Sequence, residues 1–244
     1  HQAFNFEYLT APWDAARLRK VVDTSLAANG AVGATTTWVL SNHDVTRHVT
    51  RFGGGEQGLR RARAATLLML ALPGSAYLYQ GEELGLPEVT DLPEDALQDP
   101  TWERSGRTDR GRDGCRVPLP WEGEHPPFGF APEGTVPWLP VPQAYGPLSR
   151  AAQRGVEGST LELYTRALRL RRELDALGDG QLEWLGSPEG VLFFDRGSGV
   201  RCAVNLTAEP VELPGGEVLI SSGPVQAGGA RLTLPGDTAV WLRV

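Results

Sequence analysis

Residues 35–51, TTTWVLSNHDVTRHVTR, place a run of β-branched and aromatic side chains, Thr36 to Leu40, directly before Asn42, His43, Asp44 and Arg47. Such residue types in a short run form a strand. The polar cluster is therefore expected where that strand ends and a loop begins. In barrels and open α/β sheets the carboxyl ends of strands line the ligand crevice, so the position alone marks a candidate site.

Working outward, Asp14 is placed to cap a helix whose Leu18, Val21, Val22 and Leu26 share one face, and Asn29-Gly30 ends it. Ala3 to Phe6 before it reads as a short strand. On the other side, the loop Gly53 to Gly55 leads into a second helix from about Gly58 to Leu72, apolar on all sides in its last turns before Pro73-Gly74. Gly74 to Tyr79 reads as a third strand. Strand and helix alternate, which predicts parallel strands joined by helical crossovers. Residues 86–157 show no periodicity and read as a long excursion with a short helix around Pro93 to Asp99; tryptophans at 102, 121 and 138 argue for order there. Ser159 to Glu162 is a capping box for a third helix, stopped at Gly178. Six short strand-like runs follow, at 190–194, 201–206, 211–213, 217–220, 230–234 and 239–244, and their spacing predicts an antiparallel domain. The division expected is 1–179 and 180–244.

With 41% hydrophobic residues the chain can bury a sizeable core, and a net charge of −7 without acidic or basic blocks argues against nucleic acid and anionic membrane as partners. No apolar run is long enough to span a bilayer, and a cytoplasmic protein is expected. Cys115 and Cys202 are too few and too far apart for a zinc site or a disulfide framework. No cofactor is expected: Gly53 to Gly55 lacks the Lys and Ser/Thr of a phosphate loop, and His1, His48 and His125 add no metal-ligand spacing to the His43-Asp44 pair. Three parallel strands leave open edges, and the first residue is not Met. The chain is thus expected to be the carboxyl-terminal portion of a larger protein, its edges covered by an N-terminal half or by self-association.

WVLSNHDVTRHVTRFG at 38–53, with PGSAYLYQGEELGLP at 73–87, resembles the carboxyl-terminal part of family 13 glycoside hydrolases, in the α-glucosidase and oligo-1,6-glucosidase branch. The resemblance extends over nearly the whole chain: residues 1–13 are similar to the sixth strand of that family's barrel, 35–44 to the seventh, and 74–85 to the eighth. RDGCRVPLPWEG at 112–123 resembles the branch's RTPMQW segment, and the last runs resemble the β-sandwich that follows the barrel. The implied fold is α/β, strands 6 to 8 of a (β/α)₈ barrel plus a small antiparallel β-sandwich. The implied activity is retaining cleavage or transfer of α-linked glucose in gluco-oligosaccharides.

The resemblance also assigns residues. Asp44 is the fixed carboxylate that stabilises the transition state and His43 a ligand of the sugar hydroxyls, both in the −1 subsite; Arg116 aligns with the RTPMQW arginine, which helps to recognise the terminal sugar. Arg47 is expected either at the substrate or bracing the loop, and Asn42 holding that loop. The family's nucleophilic Asp and general-acid Glu lie on its fourth and fifth strands, outside this sequence, so the chain alone is expected to be inactive. A catalytically silent amylase-like scaffold is the alternative, and the intact Asn42-His43-Asp44 trio argues against it. Glu82 and Glu83, if extended, point to opposite faces and are expected to be structural. Trp121, Phe128 and Trp138 are expected to pack rather than stack on sugar.

Overall fold

The computed structural model describes residues 3–132 and 134–244. Helices α1 (Phe6–Leu9) and α2 (Ala15–Gly30) precede strand β1 (Thr37–Val39); α3 (His48–Arg51) and α4 (Gly55–Ala71) lead to β2 (Ser75–Tyr77). β1 and β2 pair in parallel, Trp38 opposite Ala76, as the alternation required. Asp14 caps α2 by accepting from Arg17 N at 2.7 Å, and Gly53, Gly54 and Gly55 all have positive φ, which explains the glycine run at the start of α4. Gly74, φ +112°, turns the chain so closely on β1 that an added Cβ would lie 2.2 Å from Thr36 O. Trp38 seals this turn from beneath, donating through Nε1 to Pro73 O at 2.7 Å.

The strand expected at Ala3 to Phe6 does not form. Phe6 already belongs to α1, capped by Asn5, and the carbonyl of Ala3 accepts from the Thr37 hydroxyl instead of entering a ladder. Phe4 rests edge-on against Tyr77, ring centroids 5.4 Å apart.

The excursion after β2 contains α5 (Thr101–Arg104), α6 (Arg150–Gln153) and several 3-10 turns, one of them at Glu94–Ala96 inside the expected helix. It has its own core, in which Leu86, Val117, Phe128, Val141 and Tyr145 are buried together. Phe128 packs as expected, but Trp121 and Trp138 are 45% and 85% exposed, so the packing expectation fails for both. Ser159 caps α7 (Thr160–Glu173). That helix ends five residues before Gly178, because Asp175–Leu177 tighten into a 3-10 turn.

Beyond it, β3 (Glu183–Trp184), β4 (Val191–Asp195), β5 (Val200–Asn205), β6 (Val211–Pro214), β7 (Glu217–Ser221), β8 (Gln226–Gly228), β9 (Arg231–Leu234) and β10 (Thr238–Arg243) form two antiparallel sheets, ordered β3-β4-β5-β10-β7 and β6-β9-β8. β3 and β8 went unread in the sequence, being two and three residues long. The larger sheet is buried on both faces. Val191, Phe193, Ala203, Val240 and Leu242 meet the smaller sheet, while the alternate residues Leu192, Phe194, Cys202, Ala239 and Trp241 join α2, α4 and α7 in one core.

The carboxyl end of α4 lies where these layers meet. Its last carbonyls would be orphaned in a dry interior. Arg171 on α7 donates to Leu70 O and Gly74 O, and Arg196 in the β4–β5 hairpin donates to Ala71 O; just before the last four carbonyls, Trp241 Nε1 adds a donor to Leu67 O at 3.0 Å. Two guanidinium groups thus face the negative end of the helix dipole.

Candidate active site

β1 delivers its polar cluster as the sequence implied. Asn42 is buried and its Oδ1 accepts from Asp44 N at 2.9 Å, an Asx turn that swings His43 and Asp44 outward. Both side chains are exposed, 59% and 37%, with His43 Nε2 3.4 Å from Asp44 Oδ2. Asp44 Oδ1 accepts from Arg112 Nη1 at 2.7 Å and lies 3.4 Å from Arg116 Nη2, while Arg116 Nε donates to His43 O at 2.9 Å. His43, Asp44 and Arg116 are therefore brought together across some seventy residues of chain.

Arg47 is not brought to them. It is buried, donating from Nη1 to Gln80 O at 3.0 Å and from Nη2 to Cys115 O at 2.9 Å, with its guanidinium over the Tyr79 ring and its backbone N–H on Glu88 Oε2. The side chain braces the loop against the end of β2 and the excursion. Arg51 braces it too, through Leu40 O at 2.5 Å and Thr46 O at 3.0 Å.

Sequence reading missed Arg112. The signal was present: Arg112 and Arg116 stand four apart around the 3-10 turn Asp113–Cys115, which brings both guanidinium groups to one side. Their other partner, Asp99, is buried and carried no signal, being thirteen residues away from Arg112 in an aperiodic stretch. Among the described residues no group of three or more His, Cys, Asp or Glu side chains is arranged to hold a metal, and no helix is long and apolar enough to cross a membrane.

Behind the loop lies a second polar group. Glu82 and Glu83 occupy a 3-10 turn, Glu82–Leu84, not the extended segment expected. Glu83 accepts from Gly81 N at 2.8 Å, and Glu82 is buried, 4.0 Å from His48 Nδ1. Ser41 Oγ lies 2.8 Å from the same nitrogen. Burial is the main cause holding His48 down to about 3 from 6.5, with Arg51 and Arg47 adding to it, and burial pushes Glu82 well above 4.5. Both shifts favour the neutral histidine and the protonated acid.

This fixes a pH response. Because His48 is lowered on folding, the unfolded chain takes up its proton first and stability falls as pH drops from 6.5 towards about 3. Because Glu82 is raised on folding, the folded chain keeps its proton longer and stability falls as pH rises from 4.5 through the folded-state value, opposing the His48 effect where the two windows overlap. Glu82→Gln is expected to abolish the alkaline decline and to leave only the rise between about 3 and 6.5 from His48. Urea melts at a series of pH values would show this; an unchanged alkaline limb would refute it.

With the geometry in place, comparisons give it a family. Residues 2–180 match the family model described as alpha amylase, catalytic domain, and residues 172–241 match a domain of unknown function, DUF3459. The chain belongs to the α-amylase superfamily, family 13 of the glycoside hydrolases. It is 38% identical over 183 residues to a probable alpha-glucosidase of Rhizobium meliloti (strain 1021), a match covering 72% of this chain and 32% of that protein. It is 28% identical over 184 residues to an oligo-1,6-glucosidase of Parageobacillus thermoglucosidasius, covering 68% and 32%. Among solved structures, the alpha-glucosyl transfer enzyme XgtA matches with a TM-score of 0.79 and 34% identity over 98% of this chain and 45% of that one. The isomaltulose synthase PalI from Klebsiella sp. LX3 shares the fold, TM-score 0.82 at 22% identity, over 99% and 50%. The chain spans 32% of the length of each of these two curated relatives and 45–50% of these two solved ones. Its fold is the carboxyl-terminal part of a (β/α)₈ barrel followed by a small antiparallel β-sandwich.

Proposed function

We propose that residues 1–179 form one wall of the −1 sugar subsite of a retaining α-glucosidase-like enzyme acting on α-linked gluco-oligosaccharides, with residues 180–244 the sandwich that supports it. The observation that carries this is the joint presentation of Asp44 and His43 at the end of β1, half exposed, with two guanidinium groups on the carboxylate. Asp44 then faces the ring that becomes oxocarbenium-like, where a fixed negative charge is stabilising. His43 offers a ring nitrogen to a sugar hydroxyl, and Arg116 and Arg112 reach the same ring from the excursion.

A retaining reaction also needs a nucleophilic carboxylate and a general acid, about 5 to 5.5 Å apart. In this reading both come from the N-terminal half of the barrel, which also covers the edges of β1 and β2; self-association is the substitute when that half is absent. The 244-residue chain alone is therefore inert. The test is turnover of p-nitrophenyl α-glucoside, with the product anomer followed by proton NMR. The intact enzyme releases α-glucose first and the isolated chain releases none. Turnover by the pure chain, or an intact enzyme that yields the β-anomer first, would sink the reading.

A further inference from the structure

Beneath the exposed cluster lie two buried carboxylates with no part in the chemistry above. Asp113 Oδ2 accepts from Gln98 N at 2.5 Å and Asp99 N at 2.8 Å, which seats the 98–101 segment against the 111–116 turn. Asp99 Oδ2 then accepts from Arg112 Nε at 2.5 Å and Arg112 N at 3.1 Å, and its Oδ1 from Thr101 N at 3.0 Å and Arg112 Nη2 at 3.3 Å. Arg116 Nη1 lies 3.7 Å from the same carboxylate. Gly111, φ +68°, lets the backbone run directly over Asp99: an added Cβ would lie 2.8 Å from Asp99 Cβ and Cγ. The side chain of Asp99 is wholly buried, and the Arg112 guanidinium holds its carboxyl well below the ordinary 3.8.

Both guanidinium groups are thus shared between a buried carboxylate and an exposed one, Arg112 through separate nitrogens at 2.5 Å and 2.7 Å. Four groups carry two charges of each sign. Were the inner charge removed, both cations would be left with Asp44 as their only carboxylate here and would be free to close over it. That would cover the oxygen that a sugar needs. As it stands, the ion pair on Asp44 Oδ2 among the described residues is with His43 Nε2, at 3.4 Å.

We propose that Asp99 is a positioning residue: it holds Arg112 and Arg116 back from Asp44 at a fixed angle, keeping the sugar wall open, and Asp113 in turn seats Asp99. Its link to sugar rests on the α-glucosidase-like reading; its effect on the arginines does not. The two are separated by testing them differently.

The first test uses phenylglyoxal labelling of the 244-residue chain, read residue by residue by mass spectrometry. In the unmodified chain Arg112, although its side chain is 42% exposed, should label about tenfold more slowly than the exposed Arg60, because a guanidinium engaged in charge-assisted bonds is withheld from reagent. Equal rates would overturn the proposal without any variant. Asp99→Asn should raise labelling of Arg112 and Arg116 about fivefold, with the buried Arg47 and Arg196 still protected as evidence of an intact fold. Where those two become reactive, Asp113→Asn, which loosens the seat of Asp99 but leaves the Asp99 charge in place, takes its place with the same expectation. Asp44→Asn should change the labelling by less than about twofold, since the inner carboxylate holds the cations more closely. A rise with Asp44→Asn and none with the inner variants would overturn the proposal.

In the intact enzyme, Asp99→Asn should raise KM for p-nitrophenyl α-glucoside about tenfold and change kcat by less than about threefold, because arginines closed over Asp44 compete with the sugar and saturating sugar displaces them. A fall in kcat at unchanged KM would contradict it. An intact enzyme without turnover refutes the α-glucosidase-like reading instead, and the labelling still reports on Asp99.

Discussion

Asp44→Asn in the intact enzyme is expected to lower kcat by about 10²–10³-fold, the cost of losing one preorganised group aimed at developing charge. KM should change by no more than about threefold, since the amide keeps the shape of the carboxylate and an interaction made mainly in the transition state governs kcat. The structure makes this substitution a clean one. Asn42 fixes the turn through the Asp44 backbone N–H, not its side chain, so the loop keeps its course. Arg112 and Arg116 retain a carboxylate in Asp99. Steady-state kinetics on p-nitrophenyl α-glucoside decide the matter, and a kcat within about threefold of the parent would remove Asp44 from the transition state.

The second large effect concerns stability. Trp241 is fully buried, in a cross-sheet row with Phe194, Cys202 and Ile220 that faces α4. Trp241→Ala is expected to cost about 3–5 kcal/mol for the lost side chain and cavity. Loss of the indole's hydrogen bond to the Leu67 carbonyl, which keeps its partner within the helix, adds about 0.5–1.5 kcal/mol more. Losses of this size approach the whole stability of many domains, about 5–15 kcal/mol, so the variant should be largely unfolded at 37 °C. Trp241→Phe keeps most of the volume and loses the donor, so it should cost about 0.5–1.5 kcal/mol. Urea denaturation of the chain, followed by circular dichroism, orders the two; equal losses would mean that the lost volume contributes nothing, against the prediction.

Most of the regular structure was legible because it depends on local chemistry. Asp14, the Ser159 capping box, the apolar last turns of α4 and the Gly-Pro punctuation of the last sixty residues each act within a few positions of themselves. What the sequence hid depends on contacts made at a distance. Ala3 to Phe6 has strand-forming residues, yet Asn5 offers a helix cap and the Thr37 hydroxyl takes the carbonyl that a ladder would have used. Arg47 looks like a surface cation beside a site, and only the arrival of Gln80 O and Cys115 O, 33 and 68 residues on, makes it a buried brace.

The candidate site divides in the same way. His43, Asp44 and Arg116 could be read from short motifs because a strand end and an Asx turn aim the first two without outside help. Arg112 and Asp99 could not, because their partnership is defined by the fold of an aperiodic excursion. Trp138 shows the converse limit: a large aromatic in a loop carries the expectation of burial, and nothing within reach of that loop covers it among the described residues.

The five-stranded sheet has one further consequence, for ancestry. A sheet whose two faces are committed to different neighbours cannot be passed between lineages as a cassette. Exchanging residues 183–244 with those of a distant relative would set a row shaped for another helix against α4. It would also replace Arg196 while the Ala71 carbonyl stayed behind. The two parts of this chain are therefore expected to share one genealogy, with substitutions on α4 matched by substitutions on β4, β5 and β10.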